Sequence, residues 1–257
     1  MADREKSPDK LVPFFMHHAV LLTSCLFRER ATKDKDELNH FFGVFIIKEQ
    51  KRGERVGLTI DDFQLFDRAC YTFKQLKEQL TEAEIEKIKI EYKKHWQKWK
   101  AMQREIAGLL PEAYQMSKPK IESWTNGWNL RSHFWCAYRS VNRQTENACL
   151  AVLLNKKQFQ VYLMFQHYKS DERTGSIADY NELLSALQKW SDTVAIEDYY
   201  IWPQLEDELA DHLPLSVFLQ SEENQRAFRE AMGDRTFQLG KLLVKAERIV
   251  DSVQVTG

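Results

Sequence analysis

The stretch Ala148-Cys149-Leu150-Ala151-Val152-Leu153-Leu154, then Asn155-Lys156-Lys157-Gln158, then Phe159-Gln160-Val161-Tyr162-Leu163-Met164-Phe165 decides the fold class. Two apolar runs, rich in β-branched and aromatic residues, flank a short polar turn. That pattern predicts a β-hairpin whose central part is buried on both faces, because neither run alternates with polar residues over its length.

Upstream, Ser132 to Ser140 alternates. Phe134, Cys136 and Tyr138 fall on one side, and His133, Trp135 and Arg139 on the other, as a strand requires. Further back, Thr81 and Glu84 make a capping box. The helix it opens, over 81–108, carries Ile85, Ile88, Tyr92, Trp96, Trp99, Gln103 and Ile106 near 3.6-residue spacing and stops at Gly108 and Pro111. Asp61 or Asp62 is expected to cap a short helix before it. Downstream, Ser176 caps a helix with Ile177, Tyr180, Leu183, Leu184, Leu187 and Trp190 inward. Tyr199 to Trp202 reads as a strand stopped by Pro203, and Pro214 opens a helix through Val217, Phe218 and Phe228. Leu239 to Val250 fits either strand or helix. Strands joined by hairpins with helices before and after predict an α+β fold, an antiparallel sheet with packed helices.

Residues 57–257 are expected to form one α+β domain, and residues 1–56 an N-terminal extension without sustained periodicity. Lys51-Arg52-Gly53-Glu54-Arg55 permits codons containing a purine-rich AGGAG just before a GTG codon for Val56. Val56 is therefore a candidate start, with a genuine helical appendage as the alternative.

The chain has 257 residues, 43% hydrophobic and 29% charged, with net charge -1. That balance gives no global pull toward nucleic acid or an anionic membrane. No apolar run reaches 18 residues, so no membrane partner is expected. Cys25, Cys70, Cys136 and Cys149 make no C-x-x-C pair, and they read as reduced thiols in a cytoplasmic protein, with Cys136 and Cys149 buried and unpaired. No G-x-G-x-x-G, Walker A or G-x-S-x-G motif occurs, so no cofactor is implied by a motif.

Five of the seven tryptophans lie between Trp124 and His212. Trp124 and Trp128 flank Asn126-Gly127 and are placed to wall a pocket, with Asn126 and Arg131 as donors to an anionic or base-like ligand. The alternative is plain packing of the sheet around a turn. His133, Arg139, His167 and Lys169 make a candidate basic cluster for phosphate binding or acid–base work, against the alternative of a solvated strand edge. Tyr199 joins the ligand-binding set. Glu208 and His212 stand four apart after an acidic run, a weak metal or acid–base signal, so no metal site is assigned. Lys87, Lys89, Lys93, Lys94, His95, Lys98, Lys100 and Arg104 interleave with Trp96 and Trp99, either as a nucleic-acid stripe or as a solvated helix surface.

Two function classes follow. One is a binding module for a nucleotide, a nucleic acid or another small phosphorylated ligand in the aromatic and basic cluster. The other is an enzyme using His133, His167 or His212 as acid or base. Binding is favoured, because no nucleophile–base pair or metal set is legible.

Four stretches, Ser117 to Glu122, Trp124 to Trp135, Leu153 to Lys169 and Tyr199 to Leu213, resemble a bacterial family named as a glucose-6-phosphate 1-dehydrogenase family. The resemblance implies oxidation of glucose 6-phosphate with NADP. The chain departs from the dehydrogenase pattern: it has no Gly-rich strand-turn-helix, and Asp211-His212-Leu213-Pro214 lacks the Tyr, Gly and Lys of the sugar-phosphate stretch. If residues 1–55 are an upstream extension, a chain beginning at Val56 is expected to melt at the same temperature as the full chain; loss of cooperative melting would show that residues 1–55 belong to the core.

Overall fold

A computed structural model describes residues 58–110, 112–192, 194–205 and 212–244. The predicted extension, residues 1–56, lies outside the described residues, as do Glu206 to Asp211 and everything beyond Val244.

The architecture is α+β. Among the described residues three helices come first: α1 (Ile60–Gln64), α2 (Phe73–Gln79) and the long α3 (Glu82–Leu109). Strands β1 (Lys120–Ile121), β2 (Thr125–Asn126), β3 (Asn129–Leu130), β4 (His133–Tyr138), β5 (Ala148–Asn155) and β6 (Gln158–Phe165) follow. Next come α4 (Ile177–Asn181), α5 (Leu187–Ser191), β7 (Tyr199–Pro203), β8 (Leu213–Pro214), α6 (Leu215–Leu219), α7 (Glu222–Met232) and β9 (Phe237–Val244). The main sheet has seven strands in the order β1-β4-β5-β6-β9-β7-β8, and every pair is antiparallel. β2 and β3 form a separate small hairpin.

The hairpin prediction holds. Asn155 closes the β5–β6 turn by accepting, at Oδ1, the backbone N–H of Lys157 and of Gln158, both at 2.9 Å. Such an Asx turn holds the chain reversal without needing glycine. Every residue of β6 is buried. One face joins the helices in a single core: Phe134, Tyr138, Val152, Phe159 and Val161 pack with Phe66, Tyr92 and Trp99. Phe66 meets Phe134 edge-on at 5.0 Å and Tyr92 edge-on at 6.2 Å, the geometry that aromatic quadrupoles favour. The opposite face forms a second cluster of Trp135, Cys149, Ala151, Leu153, Tyr162, Met164 and Trp202, to which, among the described residues, no helix contributes.

α3 obeys its capping box: Thr81 Oγ1 accepts from Glu84 N–H at 3.3 Å, and Glu84 accepts from Thr81 N–H at 2.8 Å. It runs one residue past Gly108. The short helix before it is capped by Thr59, not by Asp61 or Asp62; Asp62 is the third residue and reaches back to Thr59. The helix expected from Ser176 is broken into α4, a 3-10 turn at Glu182–Ala186 and α5; Tyr180, Leu183, Leu184, Leu187 and Trp190 still face the core, but Ile177 is exposed. The helix from Pro214 is likewise two, α6 and α7, because Ser221 caps a new start. Leu239 to Val244 is strand, inside β9. β7 includes Pro203, which sits at the strand end where one missing N–H costs little. Cys136 and Cys149 are buried and free, on opposite faces of the sheet, and burial pushes both thiols up.

β9 lies between β6 and β7 and crosses β6 at Gly240. A Cβ there would stand 2.1 Å from Val161 O and 2.6 Å from Tyr162 Cα, both backbone atoms that cannot step aside. Gly240→Ala is therefore expected to destabilise the protein by about 3 kcal/mol or more, read as a lower midpoint in urea unfolding.

Candidate functional site

The predicted site residues fall into two groups at opposite ends of the sheet. His133 opens β4 opposite Asn155, at the turn end of the β5–β6 hairpin. Arg139 lies six residues further along, roughly 20 Å away at strand rise, next to His167 and Lys169, which follow the far end of β6. The expectation of one cleft shared by all of them is thus overturned. Strand parity does put His133 and Arg139 on one face, but strand length separates them.

At the first end, Gly127 takes φ +57° and turns β2 into β3. Trp128 stands 86% exposed at the tip, Asn126 is exposed beside it, and Trp124 is half-buried against the helical core. The hairpin is tied to the segment before α2: Phe73 N–H donates to Trp128 O at 3.0 Å, and Leu130 N–H to Tyr71 O at 2.8 Å. Arg131 is already paired with Glu122 at 2.9 Å. Burial, with the Arg131 charge beside it, pushes His133 down to about 4, so its ring is neutral at pH 7. A neutral imidazole does not supply the cation expected of a phosphate cluster.

At the other end, Arg139 is buried and donates to Glu146 O at 3.0 Å and to Gln166 Oε1 at 2.8 Å. Thr236 Oγ1 donates to Gln204 Oε1 at 2.7 Å, so His167 Nε2 donates to Thr236 Oγ1 at 3.0 Å. Lys169 is exposed and paired with Glu172. Two expected site residues pack instead. Tyr199 is 1% exposed and meets Trp190 edge-on at 5.2 Å; His212 lies 4.4 Å from the Trp202 ring. Glu208 lies outside the described residues. Among the described residues no group of three or more His, Cys, Asp and Glu side chains is placed to hold a metal, and no helix is long and apolar enough to cross a membrane.

A site that the sequence reading missed lies on the helical layer. Asp62, 2% exposed, receives four hydrogen bonds: Thr59 N–H at 2.6 Å, Thr59 Oγ1 at 3.0 Å, His95 Nδ1 at 2.7 Å and Lys98 Nζ at 2.6 Å. Burial alone would raise its carboxyl. The bonds from Lys98, Thr59 and His95 outweigh burial and hold it below the usual carboxylate range. His95 also lines an open cleft of about 850 Å³ between α1, α2 and α3, together with Arg68, Cys70, Leu80, Lys87, Ile90 and Lys94. Such a volume suits a small ligand. The α3 charge stripe is therefore not one solvated surface: His95 and Lys98, three apart, point inward together, and Trp99 is in the core. The Thr59-x-x-Asp62 spacing was the available signal for this network.

A protein-family model matches residues 58–256, and the chain belongs to that family. A Haemophilus influenzae protein described as "Uncharacterized protein" is 34% identical over 169 residues, covering 66% of this chain and 77% of that protein. Neither match points to glucose 6-phosphate oxidation, so the resemblance to a glucose-6-phosphate dehydrogenase family was mistaken. The architecture agrees with that correction. Dinucleotide sites of the Rossmann kind need parallel strands running into helix N-termini, whereas every pair in this sheet is antiparallel.

Asp62→Asn should lower stability by about 2 kcal/mol at pH 7, less than for a wholly enclosed pair because Lys98 reaches water. The lowered carboxyl contributes fully above its unfolded value near 4 and loses that contribution as pH falls through the folded value. The gap between wild type and Asp62→Asn, measured by urea unfolding, should therefore narrow between about pH 5 and pH 2.

Proposed function

We propose that this protein binds a small phosphorylated ligand in the cleft between α1, α2 and α3. The observation that supports this reading best is the Asp62 network. A buried carboxylate fixes His95 at the cleft wall, while Lys87 and Lys94 line the same cleft with no ion pair within 4 Å among the described residues. Ammonium groups at the cleft wall suit an anionic oxygen. Leu80, Cys70 and Ile90, the last 61% exposed, offer an apolar wall for the rest of the ligand. The cleft is bounded, and Asp61, Asp67 and Glu91 offset its cations, so it suits a small ligand better than a nucleic-acid strand, which needs a continuous basic groove.

Titration calorimetry with AMP, ribose 5-phosphate and a single-stranded oligonucleotide tests this. One of the small phosphates should bind, and Lys94→Glu should weaken it about tenfold or more. Binding of the oligonucleotide alone, or affinity untouched by Lys94→Glu and Lys87→Glu together, would overturn the assignment.

The second reading, an enzyme using histidine acid–base chemistry, is favoured by one distance. His95 Nδ1 lies 2.7 Å from the buried Asp62 carboxylate, which fixes the tautomer with Nε2 as the basic nitrogen. His95 thus takes the role first sought in His133, His167 and His212. Conversion of a bound ligand that stops in His95→Gln, with binding retained, would establish it.

A further inference from the structure

The far corner of the sheet holds more positive than negative charge: Glu146 and Glu172, the carboxylates that act on its cations, are already ion-paired with Arg143 and Lys169. Arg139 follows β4 and is 7% exposed. Its Nε donates to Glu146 O at 3.0 Å, and its Nη2 to Gln166 Oε1 at 2.8 Å and to Asn147 O at 3.5 Å. All three acceptors are neutral, and no carboxylate lies within 4 Å of it among the described residues. The neighbouring carboxylate, Glu146, is held by Arg143 through two bonds of 2.8 and 2.6 Å. A buried cation without an opposite charge is costly.

A second guanidinium is brought to the same corner by the backbone. Asn147 N–H donates to Thr174 O at 2.9 Å, Thr174 N–H to Thr145 O at 2.8 Å, and Asn147 Nδ2 to Gly175 O at 2.8 Å. These bonds pin Arg173 beside the loop that holds Arg139. The Arg173 Nε is enclosed yet has no hydrogen-bond partner. The two guanidinium charges are close enough to repel each other, which helps lower Arg139 after burial itself. Lys120 adds a third cation: it pairs with Ala137, two residues before Arg139, and so projects from the same face of the sheet.

We infer that this corner is a second site, independent of the helical cleft, which binds a phosphate group between Arg173 and Arg139 with Lys120 at its approach. A tetrahedral dianion presents several oxygens to two planar forks at once and adds negative charge where the carboxylates present are already paired. Inorganic phosphate and the phosphoryl end of a larger molecule share that chemistry.

Thermal melting of the full chain tests it, with inorganic phosphate and with glycerol phosphate, each against chloride at equal ionic strength. Phosphate should raise the melting temperature saturably, by about 3 °C at ten times its dissociation constant. In a Lys94→Glu background, where the other cleft is disabled, a saturable rise should remain; adding Arg173→Gln should abolish it, and Arg173→Lys should keep part of it, so the two sites stand or fall separately. A glycerol phosphate response that also needs Arg173 identifies the phosphoryl end of a larger molecule as the ligand; a response to inorganic phosphate alone identifies the free ion. An absent or unsaturable rise in that background, or one unchanged there by Arg173→Gln, would overturn the site.

Discussion

The register of the β5–β6 hairpin is the constraint on which the rest of the structure depends. Both faces of this hairpin are buried, by different partners. A slip of one residue would exchange Val152 and Val161, which meet the helices, for Leu153 and Tyr162, which meet Trp202 and the second cluster. The Asn155 side chain prevents that slip by gripping the two N–H groups at the turn. Gly240 then lets β9 lie against β6 so closely that only a residue without a side chain fits.

With the sheet set, α3 is placed by the aromatic contacts of Tyr92 and Trp99 with Phe134 and Phe159. Each fully buried aromatic of this kind contributes on the order of 2 kcal/mol by burial, so the cluster dominates the docking of the helix. Asp62 is a different kind of contact. A carboxylate taken out of water is tolerated because four donors converge on it, and the same convergence holds His95 at the cleft. Stability and site geometry thus share one network, the arrangement expected when a buried polar group has a task beyond packing. Arg139 contrasts with it: its donors meet only neutral oxygens.

The sequence by itself determined the local elements. The capping box at Thr81, the apolar runs around Asn155 and the alternation from His133 to Tyr138 are encoded by neighbours within a few residues, so they are legible without a fold. The antiparallel α+β class followed from them. Breaks such as that between α6 and α7 were not legible, since helical spacing continues across Ser221 while its capping chemistry restarts the helix. Only the tertiary structure decided the sites. Asp62 meets His95 across 33 residues and Lys98 across 36, and periodicity carries no information at that separation. The same limit made His133 and His167 look like neighbours: both sit at strand ends, but the antiparallel return of the chain puts them at opposite ends of the sheet.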